Sequence, residues 1–339
     1  LAKILIIRFS ALGDVAMTVP IVHALATSYP TLNITVLSRS MCQPLFAHLP
    51  NNVHFSIADL HGKHKGIQGL NVLLKDLDYR SFDYVADFHN VLRSKWLRWK
   101  FFQAEKKVAA INKGRYGKWM LTRKKCKRFV QQKTSFDRYA DVLAKLGFAV
   151  QPTFTSVFDN VLKPITEWTK PTDSHWIGIA PFAKHVGKIY PIDKMEQVVK
   201  LLSQQNNTIL FFFGAGNSER TVLEDWGKRY KNSVSLAGKS NLTKDLEVIN
   251  QLDVMVSMDS ANMHLASLTG TPVVSIWGAT HPYAGFLGWK QKEENAVQLD
   301  LKCRPCSVFG NKPCHRSDYA CLNDITPEMI VERINANLK

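Results

Sequence analysis

The feature that most limits the fold is a rhythm of short apolar runs separated by amphipathic stretches, which runs, breaks and starts again. Strand-like runs lie at residues 3–8 (KILIIR), 33–38 (NITVLS), 53–57 (VHFSI), 83–88 (DYVADF) and 107–110 (KVAA). Between them come helical patterns such as VPIVHALATSYP and IQGLNVLLKDL. Strands alternating with helices predict a parallel sheet with helices on both faces. The stretch QPTFTSVFDNVLKPITEWTKPTDSH, with three prolines, breaks the pattern and reads as a linker. The rhythm restarts at 176–180 (WIGIA), 208–213 (TILFFF), 233–236 (SVSL), 253–257 (DVMVS) and 272–277 (PVVSIW). A last helix, TPEMIVERINANLK, opens on a threonine cap with proline in its first turn.

A chain of 339 residues exceeds one ordinary core. The expectation is an α/β protein of two Rossmann-like domains, 1–165 and 166–339, facing each other across a cleft. The final helix is the element free to pack back on the first domain. No apolar run is long enough to span a bilayer, and LAKILII is too short for a signal peptide, so a cytoplasmic protein is expected.

Charge is unevenly placed. Up to residue 165 there are 25 Lys and Arg against 10 Asp and Glu; beyond it the numbers are 19 and 18. From Arg93 to Arg138, 16 basic residues face only Glu105 and Asp137. One half therefore meets something anionic. Cys303, Cys306, Cys314 and Cys321 cluster near the end. With His315 as a substitute ligand, they make a candidate structural zinc site of unusual spacing, set against reduced, partly buried thiols.

In open parallel sheets, ligands bind beyond the carboxyl ends of strands, so the residues following each strand carry the chemistry. In IAPFAKHVGKIYP (179–191), small Ala180 and Ala183 admit a ligand to the backbone, and Lys184 and Lys188 can face a diphosphate. The alternative is a solvated loop. FFFGAGNSER (211–220) ends in a Gly-Ala-Gly turn before Glu219, which can accept from ribose hydroxyls or serve as a first-turn carboxylate. VMVSMDSANMHLA joins a buried strand to a helix at Asp259 and Ser260, where free N–H groups suit a phosphate and Asp259 suits sugar hydroxyls. Either residue can instead be a plain N-cap. RFSALGDVAM places Asp14 after the first strand, as a general base or as a cap for the segment leading to Pro20.

These stations, in this order, resemble glycosyltransferase family 9, the ADP-heptose:lipopolysaccharide heptosyltransferases, over nearly the whole chain. Gly13, Asp14 and Pro20 match its first motif, and Lys188, Tyr190 and Pro191 its Lys-x-aromatic-Pro element. DSANMHLA, WGATHP and DFHNVLRS match three further segments. The resemblance implies a GT-B fold and an inverting heptose transfer from ADP-L-glycero-D-manno-heptose to the lipopolysaccharide inner core, with no cofactor required and no essential metal. Asp14 is the implied base. Lys188, Ala183, Glu219, Asp259, Ser260, Ala261, Asn262 and His264 are the implied donor residues. Ser10, Gly13, Arg93 and Lys95 are the implied acceptor residues.

Two departures stand out. Ala261 replaces the usual glycine, and Phe182 stands where many relatives have glycine. Both alter the floor of the donor site and leave another nucleotide-sugar open.

The basic stretch RSKWLRWKFF interleaves cations and aromatics, which suits an anionic lipid surface. The expected partners are thus the donor, an anionic core acceptor and the inner face of the inner membrane, without nucleic acid. Two rival readings remain. A nucleotide-sugar epimerase or hydrolase needs acid/base groups on both sugar faces, and Asp14 is a single candidate. A single-strand nucleic-acid binder shares the basic-aromatic pattern but lacks any nucleic-acid signature.

Overall fold

The computed structural model describes residues 1–159 and 169–338. The chain forms two compact units: Leu1–Lys113 with Thr134–Asn160, and Gly114–Lys133 with Val161–Lys339. The expected boundary at 165/166, and part of the proline-bearing linker, fall outside the described residues.

The first unit holds β1 (Lys3–Ile7), β2 (Asn33–Ser38), β3 (Val53–Ile57), β4 (Tyr84–Asp87) and β5 (Lys107–Ala110), ordered β3-β2-β1-β4-β5. Every pairing is parallel. β1 is central, and Ile4, Leu5, Ile6 and Ile7 are fully buried, as its unbroken apolar run requires. Leu5, Ile7, Val85, Leu97 and Phe101 belong to one core. The chain winds outward from β1 to β3, then returns to lay β4 on the other side of β1. Ile7 is in register with both Leu37 and Asp87. The crevice of this sheet lies beyond the carboxyl ends of β1 and β4, where the winding reverses.

The second unit holds β6 (His175–Ala180), β7 (Thr208–Phe212), β8 (Ser233–Ser235), β9 (Val254–Met258), β10 (Val273–Ile276) and β11 (Ala296–Val297). Their order is β11-β10-β9-β6-β7-β8, again all parallel. The reversal here falls between β6 and β9. The two-residue β11 has no apolar run to announce it. The final helix, Pro327–Asn335, places Ile330 and Ile334 in this unit's core.

Residues 114–133 lie in the second unit, although they precede the expected linker. Lys127 Nζ donates to the carbonyls of Cys303, Arg304 and Pro305 at 2.9, 2.7 and 2.9 Å. Gln132 N–H donates to the Tyr283 carbonyl at 2.8 Å. These contacts join residues far apart in the chain, which is why periodicity could not assign the segment. No described helix is long and apolar enough to cross a membrane.

Candidate functional site

In the first unit the crevice gathers a charged cluster. Arg8 follows β1, and Asp14 sits in the short helix Leu12–Ala16. Asp14 Oδ2 pairs with Arg8 Nη2 at 2.7 Å and accepts the Ala11 N–H at 3.1 Å. The carboxylate thus braces the start of its own short helix as the third residue after the Ala11 N-cap, not as a cap for the Pro20 helix, whose N-cap is Thr18, and it also faces a buried cation. Tyr139 donates its hydroxyl to the Asp14 carbonyl at 3.3 Å.

Asp87 ends β4 and is fully buried. Its Oδ1 accepts the N–H groups of His89 and Asn90 at 3.0 and 2.7 Å, and its Oδ2 pairs with Arg98 at 3.0 Å. That turn presents His89 beside Phe9, whose N–H donates to His89 Nδ1 at 3.4 Å. Burial, then the charge of Arg8, pushes the His89 imidazole down to about 3. It is therefore neutral, with its ring proton on Nε2.

Ser10 is half-buried, Gly13 is buried, and Arg93 and Lys95 are exposed on the helix Leu92–Gln103. Sequence reasoning did not single out Arg8, His89 or the Asp87–Arg98 pair. Strand-end positions were a signal for all three, but the contacts of Arg8 with Phe88 and of Phe9 with His89 each span 80 residues.

In the second unit the β6 and β9 ends meet. Lys188 Nζ lies 2.8 Å from Asp259 Oδ2, with side chains only 14% and 4% exposed. Tyr190, two residues on, is fully buried and donates its hydroxyl to the Ile325 carbonyl at 2.9 Å. This pins the Lys188 loop to the core. Behind it, the Gly187 N–H donates to the Gly310 carbonyl at 3.2 Å, and a Cβ on Gly310 would come 2.6 Å from Lys188 Cγ.

Ser260 is the N-cap residue of the helix Ala261–Leu268, but its side chain makes no capping hydrogen bond. Its hydroxyl lies 3.2 Å from that of Ser257. The plain-cap alternative for Ser260 is therefore not what the geometry shows, and the first-turn N–H groups of Ala261 and Asn262 receive no side-chain cap from it. Such N–H groups favour an anion. No residue from 259 to 262 has positive φ, so alanine at 261 carries no backbone strain. Phe182 and Ala183 pack, half-buried, on the second core. His264 is buried one turn into the helix.

Glu219 lies in the first turn of the helix Asn217–Arg229, where its Oε2 accepts the Ala215 N–H at 2.7 Å. It closes the Gly-Ala-Gly turn, in which Gly216 has φ +91°. The first-turn alternative accounts for its placement here.

The four clustered cysteines are free thiols that line one small cavity with His315, Arg304 and Asp318. Among the described residues no three His, Cys, Asp or Glu side chains converge as metal ligands. The four thiols stand together as reduced cysteines, one of the two readings their spacing allowed. Burial pushes the Cys306 thiol up and the Cys321 thiol up to about 11.

The sequence matches the model of Glycosyltransferase family 9 (heptosyltransferase) over residues 71–314. It is 26% identical to lipooligosaccharide heptosyltransferase 2 of Haemophilus influenzae, covering 98% of each chain. It is 25% identical to lipopolysaccharide heptosyltransferase 3 of Escherichia coli, over 85% of this chain and 84% of the relative. Among solved structures, the family 9 glycosyl transferase of Veillonella parvula is similar with a TM-score of 0.74 at 17% identity, covering 99% and 97%. The E. coli heptosyltransferase WaaC with ADP is similar with a TM-score of 0.68 at 15% identity, covering 99% of each.

Proposed function

The chain belongs to glycosyltransferase family 9 and is a glycosyltransferase of the α/β GT-B class; from that premise we propose that it moves heptose from ADP-L-glycero-D-manno-heptose to the inner core of a lipopolysaccharide. In this reading the transfer is a single displacement with inversion. Asp14 takes the proton of the acceptor hydroxyl, whose oxygen bonds to the anomeric carbon. The bond from that carbon to the diphosphate breaks, and ADP leaves with the electron pair.

The observation that carries the reading is the Lys188–Asp259 pair beside the start of the helix Ala261–Leu268. Lys188 offsets charge on the departing diphosphate, the electrostatic task a metal performs in other enzymes. Ser260 and the N–H groups of Ala261 and Asn262 hold phosphate oxygens. Asp259 takes heptose hydroxyls and Glu219 the ribose, with Ala183 and His264 beside the donor. Relatives named heptosyltransferases, and one solved with ADP, support this donor. In the first unit Ser10, Gly13, Arg93 and Lys95 receive the anionic acceptor.

The first unit is read as the acceptor domain and the second, which includes residues 114–133, as the donor domain. The helix Leu92–Gln103 supports a site at the inner face of the inner membrane. Its Ser94, Leu97 and Phe101 are buried, while Leu92, Trp99 and Phe102 on the opposite face are 85%, 45% and 67% exposed. The exposed side mixes these apolar side chains with Arg93 and Lys95, and Lys100 lies 4.6 Å from the Trp99 ring centroid. Exposed aromatics among cations suit anionic lipid headgroups.

Purified full-length chain, ADP-heptose and a heptose-deficient core acceptor test the reading, with product mass and anomeric configuration as readouts. A β-configured or α-configured product inverted relative to the donor, unaffected by EDTA and lost in Asp14→Asn with ADP affinity intact, is the expected result. Near-native turnover in Asp14→Asn removes the assigned base, and loss of activity in EDTA that added metal restores removes the metal-independent reading.

A further inference from the structure

Arg8 is the first residue beyond β1, and only 7% of it is exposed. Burying a cation this deeply is costly unless close partners compensate. Nη2 meets Asp14 Oδ2 at 2.7 Å, Nη1 donates to the Phe88 carbonyl at 2.8 Å, and Nε is buried without a hydrogen-bond partner. The guanidinium is thereby fastened to the end of β4 on one side and to the Asp14 carboxylate on the other. The Asp14 carboxylate it holds is itself a third exposed, so the pair reaches from the buried strand end to the open crevice.

We infer that Arg8 is a positioning residue for the transfer: anchored on Phe88, it fixes the Asp14 carboxylate in place and holds it ionised to receive the acceptor proton. This rests on the reading of Asp14 as the base. The groups around the Arg8, Asp14 and His89 cluster come from four elements. Arg8 arrives from β1. His89 and Arg93 come from the loop and helix after β4, with Asp87 committed to Arg98. Lys113 follows β5, and Tyr139 comes from the helix Ser135–Lys145. Burial pushes the Tyr139 hydroxyl up to about 12, so it stays neutral. His89 is neutral as well, and the Arg8 guanidinium is in direct contact with the carboxylate. Lys113 and Arg93 also bear on this cluster through their charge on His89. An opposite charge at this distance favours the ionised carboxylate, and its loss lets the proton return at higher pH.

The experiment is the pH profile of kcat/KM for the full-length chain and for Arg8→Met, Arg8→Lys and Asp14→Asn, with ADP affinity as the check on folding. In Arg8→Met the acid limb is expected to move up by about one pH unit, and kcat to fall about tenfold or more. Arg8→Lys keeps the charge but not the planar fork. It should hold the acid limb within a few tenths of a unit and lower kcat by roughly threefold to tenfold. A folded Arg8→Met with the native acid limb overturns the inference. If Arg8→Met does not fold, Arg8→Lys decides: native kcat overturns it, and a lowered kcat at native ADP affinity supports it. An active Asp14→Asn removes the base reading and this inference with it. An inactive Asp14→Asn beside an unmoved acid limb removes this inference alone.

Discussion

Lys188 and Asp259 hold each other at 2.8 Å across the reversal point of the second sheet, and both are largely buried. Asp259 follows β9, and Lys188 closes the loop after β6. Their pairing fixes the lysine where the carboxyl ends of two adjacent strands converge. An anionic donor arriving there would meet a cation already in place. Electrostatic stabilisation of this kind is worth most where the charge is fixed and solvent is scarce.

Lys188→Met should lower kcat by about two to three orders of magnitude. It should also destabilise the fold by roughly 3 kcal/mol, because Asp259 stays buried without its partner. Turnover and denaturant unfolding check the two effects separately. The paired variant Lys188→Met/Asp259→Asn should recover stability but not turnover. Native turnover in the single variant would remove Lys188 from the chemistry.

Stability should fall with acid in a defined window. His89 and His281 are held neutral by burial and then by a neighbouring arginine, down to about 3 and about 4, from the ordinary 6.5. Below that ordinary value the unfolded chain binds protons that the folded chain refuses, so stability is full above about pH 6.5 and declines toward pH 3–4. In His89→Gln the loss between pH 7 and 4 should be smaller by a few kcal/mol. Thermal unfolding at stepped pH is the measurement, and equal slopes in the two proteins would contradict the cause.

Gly216→Ala should cost about 1–3 kcal/mol, because φ +91° with ψ 159° is a conformation that only glycine adopts freely. The strain falls on the turn that Glu219 closes through the Ala215 N–H. A lowered melting temperature together with a raised KM for the donor is expected. An unchanged KM would separate this turn from the donor site.

The helix Leu92–Gln103 should bind vesicles containing phosphatidylglycerol and not vesicles of phosphatidylcholine alone. Binding should weaken with salt, because the basic residues face a charged surface. Trp99→Ser/Phe102→Ser should abolish cosedimentation while leaving transfer to a lipid-free acceptor unchanged. Retained binding by the double variant would place the contact elsewhere.

Much of this protein can be read locally. A buried parallel strand must be an apolar run, so KILII and VMVSM declare themselves, and the residues after them declare the stations. The Thr326 cap and Pro327 announce the last helix because both act within one turn. Asp14, Lys188, Asp259 and Ser260 were legible as chemistry-bearing residues at strand ends. What each one touches was not. Arg8 meets Phe88 only because β4 lies beside β1. Lys188 meets Asp259 only because β9 lies beside β6. Burial leaves His89 neutral, and hydrogen bonds to the carbonyls of residues 303–305 and Tyr283 tie residues 114–133 to the second unit. The cysteine spacing suggested a cluster, and the fold brings the four thiols to one small cavity. Periodicity and capping act over a few residues, so the sequence by itself determined the elements and their reactive ends. Burial, pairing and charge at those ends are non-local, and only the tertiary structure decided them.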